Sequence, residues 1–260
     1  MKTISFSCAL LLSCVTGSIV CTVPETNTSS LKKNLMTLLS QQYEQILSYN
    51  VDDREEADVI DKYKKITRQT LETMTEAVNA LTDEHAQEVN AFLKNTMMNP
   101  QPKYQEYGIK CGSAVLKIGK KLEEGKTITK EMIREEFSFV PEFSKKEVNR
   151  VDTELTDLIV TLLEKQNNSY EIANKVKKAT QKSMEYAQNN SEVICNFAFE
   201  SMVDLLHESF QSTENLIAAG QKSAEYNKEI CNEVGVSQEE LIQANCDTLL
   251  ASINNEKQEN

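Results

Sequence analysis

Apolar side chains recur at helical spacing along most of this chain. Leu31, Leu35, Leu38, Leu39, Tyr43, Ile46 and Leu47 make one stripe, and Ile60, Tyr63, Ile66, Leu71, Met74, Ala77, Val78 and Leu81 a second. Ser30 and Asp52 or Asp53 stand where N-caps belong. Thr82 opens a third helix, because Asp83 and Glu84 suit the positive end of a helix dipole. Its stripe runs through Val89, Phe92, Leu93 and Met97 to Asn99-Pro100-Gln101-Pro102, the clearest linker. A fourth helix over 103–124 turns Tyr104, Tyr107, Cys111, Val115, Ile118 and Leu122 inward. Gly108, Gly112 and Gly119 lie within it, and each costs about 1 kcal/mol relative to alanine, which predicts close packing against a neighbour or a break.

Beyond Gly125, Thr129 caps a short helix that leads into the apolar connector Phe137-Ser138-Phe139-Val140-Pro141-Glu142-Phe143. The connector reads as a segment tucked onto the core or, with Phe137, Phe139, Val140 and Phe143, as the lip of a ligand pocket. Ser144-Lys145-Lys146-Glu147 has the form of a capping box and predicts a helix start before Val148, Val151, Leu155, Ile159 and Leu163. Further stripes follow at Ile172, Ala173, Val176 and Met184, and over 193–210. A second capping box, Ser237-Gln238-Glu239-Glu240, precedes Leu241, Ile242, Leu249 and Ile253. No segment alternates as a strand does. The fold class expected is all-α, a multi-helix bundle of antiparallel amphipathic helices. Residues 31–99 form N-terminal helices, 103–253 a C-terminal bundle, and 254–260 a polar tail.

An internal repeat marks the last third. Residues 179–186 (Ala-Thr-Gln-Lys-Ser-Met-Glu-Tyr) recur as 219–226 (Ala-Gly-Gln-Lys-Ser-Ala-Glu-Tyr), and an Ile-Cys-Asn follows each copy, so the two units span 179–196 and 219–232. Two units suggest duplication of one helical element and fall short of a solenoid.

The start of the chain changes the picture. Met1-Lys2 precedes an apolar and small-residue run over 4–21, the pattern of a secretory signal peptide. Cleavage after Cys21 is preferred to cleavage after Gly17, because it leaves an even set: Cys111, Cys195, Cys231 and Cys246. Residues 22–30 then form a polar leader. In an oxidising compartment four cysteines predict about two disulfides. Cys195 and Cys231 lie symmetrically about Thr213, as a clamp on a helical hairpin would, which leaves Cys111 for Cys246; Cys231 with Cys246 is the competing pair. Asn27, Asn167 and Asn189 head Asn-x-Ser/Thr sequons and are N-glycosylation candidates.

Charge and motifs mostly exclude. The full chain carries −12, and loss of Lys2 with the leader makes it −13, an unfavourable balance for nucleic acid. No membrane span is expected in the secreted chain. Glu200, Asp204 and His207 share a helix face and His85 precedes Glu88 by three, but both read as ordinary solvated faces, so neither metal nor cofactor is expected. No P-loop, GxSxG or HExxH occurs. The expectation is a secreted, extracellular, non-enzymatic glycoprotein that binds an unknown protein partner or an apolar small molecule by its helical faces. The alternatives are a lipid or hydrophobic-ligand carrier with an internal cavity, and a secreted enzyme of unrecognised type.

Overall fold

The computed structural model describes residues 30–48, 56–99, 101–147, 153–166, 168–241 and 243, and among these residues ten helices are traced from end to end. They are α1 (Ser30–Ser48), α2 (Ala57–Ala80), α3 (Asp83–Met98), α4 (Pro102–Glu123), α5 (Lys130–Glu136), α6 (Val140–Glu147), α7 (Thr153–Glu164), α8 (Tyr170–Asn189), α9 (Ser191–Ser209) and α10 (Thr213–Val234). The described residues contain no strand. The signal segment, Cys21, Asn27, Asn167, Cys246, Leu249 and Ile253 lie outside them.

Helix starts follow local chemistry. The Thr82 hydroxyl accepts from the His85 amide at 3.2 Å, and the Thr129 hydroxyl from the Met132 amide at 3.3 Å. Ser237 and Glu240 close a reciprocal box, with Ser237 N to Glu240 Oε2 at 2.9 Å and Glu240 N to Ser237 Oγ at 3.0 Å. The box expected at Ser144 does not form. Pro141 sits in the first turn of a helix already begun at Val140, where its missing N–H costs nothing, so Ser144 falls mid-helix. Glu147 ends that helix buried, with its carboxylate turned to α4.

Two large apolar clusters fill the molecule. One joins α1, α2 and α3 to α7 and α8 through Leu35, Met36, Met74, Val78, Val89, Ile159, Leu162 and Val176. This core therefore draws on both sides of the Pro100 break. The other joins α4, α5 and α6 to α9 through Tyr107, Ile118, Ile133, Phe137, Met202, Val203 and Leu206, and Phe210 closes it. Ile60, Ala187, Ile194 and Phe197 link the two. A fourth group ties Ile230, Cys231 and Val234 of α10 to Leu38 and Met97. Helix α9 is apolar on several sides because it is covered on several sides, by α5, α6, α2 and α8.

Two of the three glycines of α4, Gly112 and Gly119, do something other than expected. The helix is continuous, and a Cβ at Gly112 or Gly119 would meet open space. They lie away from the neighbours that hold Cys111, Ala114 and Ile118.

Candidate functional site

Phe137 and Val140 are fully buried, and Phe139 and Phe143 are half-buried about them. Tyr107 stacks on Phe143 with ring centres 4.1 Å apart and meets Phe139 edge-on at 5.7 Å, while Tyr104 meets Phe143 edge-on at 6.0 Å. Such offset and T-shaped contacts fill space and add about 1 kcal/mol each beyond burial. The four residues considered for a pocket lip therefore pack as core between α4, α6 and α9.

At the edge of this aromatic group lies a polar node that sequence patterning did not indicate. Lys103 Nζ reaches Glu147 Oε1 at 2.6 Å and Oε2 at 2.7 Å, and the Tyr104 hydroxyl donates to Oε2 at 2.6 Å. The ammonium also sits 4.7 Å from the centre of the Tyr104 ring. A buried carboxylate with three short charge-assisted bonds is satisfied, so the node joins α4 to α6. Its one sequence signal was Glu147, which the capping-box pattern claimed for another role.

The Glu200, Asp204 and His207 face is real, but its acids are engaged. Arg134 forks onto Glu200, with Nη2 at 2.8 Å and Nε at 3.1 Å, and Lys130 pairs with Asp204 at 2.7 Å. The hydrogen bond to Glu200 raises the Arg134 guanidinium above its ordinary range. His207 instead meets Gln211, one turn on. Nearby, bonds from Lys121 and Lys117 hold the Glu136 carboxyl below its usual range. Among the described residues no three potential ligands gather for a metal.

Cys111, Cys195 and Cys231 are all buried, and no two sulfurs among the described residues are bonded. The Cys195–Cys231 clamp expected from sequence symmetry is not formed, for a topological reason. The far end of α10 does not lie along α9. It crosses to α1 and α3, and Cys231 packs with Leu38 and Met97. Burial pushes the Cys231 thiol pKa up, which makes it a poor nucleophile. Of the sequons, Asn189 is described: it is exposed at the end of α8, one residue before the Asn190 junction.

Inside the first cluster, Leu35, Leu39, Val78, Val89, Leu93 and Ile159 line an apolar cavity of about 10 Å³. That is room for about one water, and apolar walls offer it no partner. Outside, α4 turns Leu116, 75% exposed, and Ile109, 43% exposed, away from the core, on the side where Gly112 and Gly119 are open. No described helix is long and apolar enough to cross a membrane. No family model, no curated protein and no solved structure matches this chain.

Proposed function

We propose that this is a secreted, non-enzymatic helical protein that binds a partner protein through an outer helical face. The observation that carries this reading is the contrast between the close-packed first cluster and a raised exterior on α4. A site for a drug-sized or lipid ligand occupies about 300 Å³ or more, against a cavity of about 10 Å³ in the first cluster. Meanwhile Leu116 and Ile109 stand in solvent on one side of α4. Export rests on the apolar leader over 4–21, and glycosylation on Asn189 together with Asn27 and Asn167. Disulfide bonding enters this reading only through Cys246, whose partners weighed from sequence are Cys111 and Cys231; non-reducing peptide mapping decides.

Two measurements test the proposal. Organic extraction and mass spectrometry of the secreted protein should return no stoichiometric lipid; one lipid per chain overturns it in favour of a carrier. Crosslinking in the extracellular fluid should yield a defined adduct that the double variant Ile109→Asp, Leu116→Asp loses while keeping its helicity. An adduct indifferent to both substitutions places the binding face elsewhere.

A further inference from the structure

Helix α10 ends at Gly235, whose left-handed backbone (φ 74°) lets the Val236 amide fold back onto the Cys231 carbonyl at 2.8 Å. The carbonyls beyond that bond are capped from other helices. Asn34 of α1 donates to the Glu233 carbonyl at 3.3 Å. From α3, Asn90 donates to the Val234 carbonyl at 3.3 Å and Lys94 to the Gly235 carbonyl at 3.1 Å. Below them, Ile230, Cys231 and Val234 seat on Leu38 and Met97.

Two acceptors at this joint have no donor among the described residues. Glu233 Oε2 is buried without a hydrogen-bond partner, and so is Asn90 Oδ1, the other end of the amide that caps Val234. A carboxylate here is disfavoured three ways: it is desolvated, it sits at the negative end of a helix dipole, and Glu229 lies one turn before it. A protonated carboxyl is neutral and brings the O–H donor that the joint lacks.

The described neighbours do not supply that donor. Lys94, the α3 cation at the joint, is bonded to the Gly235 carbonyl, and His85 stands at the other end of α3. On α1, Lys32 is turned to Asn79 and Asp83, and Asn34 is neutral. Past the turn, Glu240 is bonded to the Ser237 amide.

We propose that the C-terminal end of α10 is a proton-controlled latch, docked on α1 and α3 while Glu233 carries a proton and loosened when it ionises. Release uncovers Ile230, Cys231 and Val234 together with their seats on Leu38 and Met97.

The sign follows from linkage. Burial, with Glu229 beside it, lifts the Glu233 carboxyl from 4.5 to about 7 in the docked state. Between those values the docked form holds the extra proton, so docking weakens as pH rises from about 4.5 through 7 and is constant above. The opening equilibrium should grow on the order of a hundredfold across that window.

Amide hydrogen exchange on the full chain, corrected for intrinsic rates, reads this directly. Between pH 5 and pH 8, protection over 227–236 should fall on the order of a hundredfold and level off above about 7, the opening equilibrium passing the midpoint of its rise near 7, while 173–187 of α8 stays level. Glu233→Gln keeps a neutral side chain with a donor and should abolish the pH dependence. Glu229→Gln removes the like charge and should move the midpoint down. Level protection in the unaltered protein, a pH dependence that survives Glu233→Gln, or an unmoved midpoint in Glu229→Gln would each overturn the latch.

Discussion

Along 179–186 of α8, Thr180 and Ser183 are buried, whereas the aligned stretch of α10, 219–226, buries Ala219 and exposes Gly220, Gln221, Lys222, Ala224 and Glu225. The first copy faces α2 through small side chains: Thr67 and Thr70 are buried opposite, and the Thr70 hydroxyl donates to the Ile66 carbonyl at 3.0 Å. Long side chains clasp the margins. Lys175 pairs with Glu76 at 3.1 Å, Lys182 donates to Gln69 at 3.3 Å, and the Tyr186 hydroxyl donates to the Val59 carbonyl at 3.1 Å. Among the described residues the second copy has a single tie of this kind, Gln238 Nε2 to the Ala224 carbonyl at 3.0 Å. This copy spans the gap between Leu216, against the α4–α9 cluster, and Ile230, against α1 and α3. One local sequence fixes a helix twice, but what lies alongside decides whether a face becomes core.

The largest expected effect tests the buried copy. Thr180→Arg places an unpaired guanidinium in the α2–α8 contact and should cost about 3 kcal/mol. The urea unfolding midpoint measures it. A cost below about 1 kcal/mol would mean that α8 does not press on α2 as described. Next comes the clasp. Tyr186→Phe removes one hydroxyl bond to Val59 and should cost about 1 kcal/mol by the same measurement. The ring and the Lys62 ammonium 5.1 Å from its centre are left in place.

The same contrast explains how far the sequence could be read. Helix ends were legible at Thr82, Thr129 and Ser237, because a cap is a contract between residues three apart. Ser144 carried the same signature and failed, since Pro141 started the helix earlier and Lys103 and Tyr104 drew Glu147 away. Periodicity placed Glu200, Asp204 and His207 on one face, yet Arg134 and Lys130, 66 residues before Glu200 and 74 before Asp204, decide what those acids do. The cysteine symmetry about Thr213 assumed a hairpin, and nothing local shows that α10 leaves α9 for α1 and α3. Spacing along one helix is sequence information. Which helix arrives opposite is not, and the Glu233–Asn90 joint and the Lys103–Tyr104–Glu147 node both depend on it.

The smallest effect has the opposite sign and sharpens the comparison most. Gly220 holds the place of Thr180 in the second copy, and a Cβ there meets open space. Gly220→Ala therefore adds helix propensity without a clash and should stabilise α10 by roughly 0.5 to 1 kcal/mol. Where the gain is read matters. If α10 unfolds with the rest of the molecule, the urea midpoint rises. If its span between Leu216 and Ile230 opens by itself, the gain shows as slower amide exchange over 217–229 with the midpoint unchanged. Either result leaves this face of α10 open. A loss of stability would show that, in solution, something lies against α10 at Gly220 as α2 lies against α8 at Thr180, and the two copies would then differ in what seats them rather than in whether they are seated.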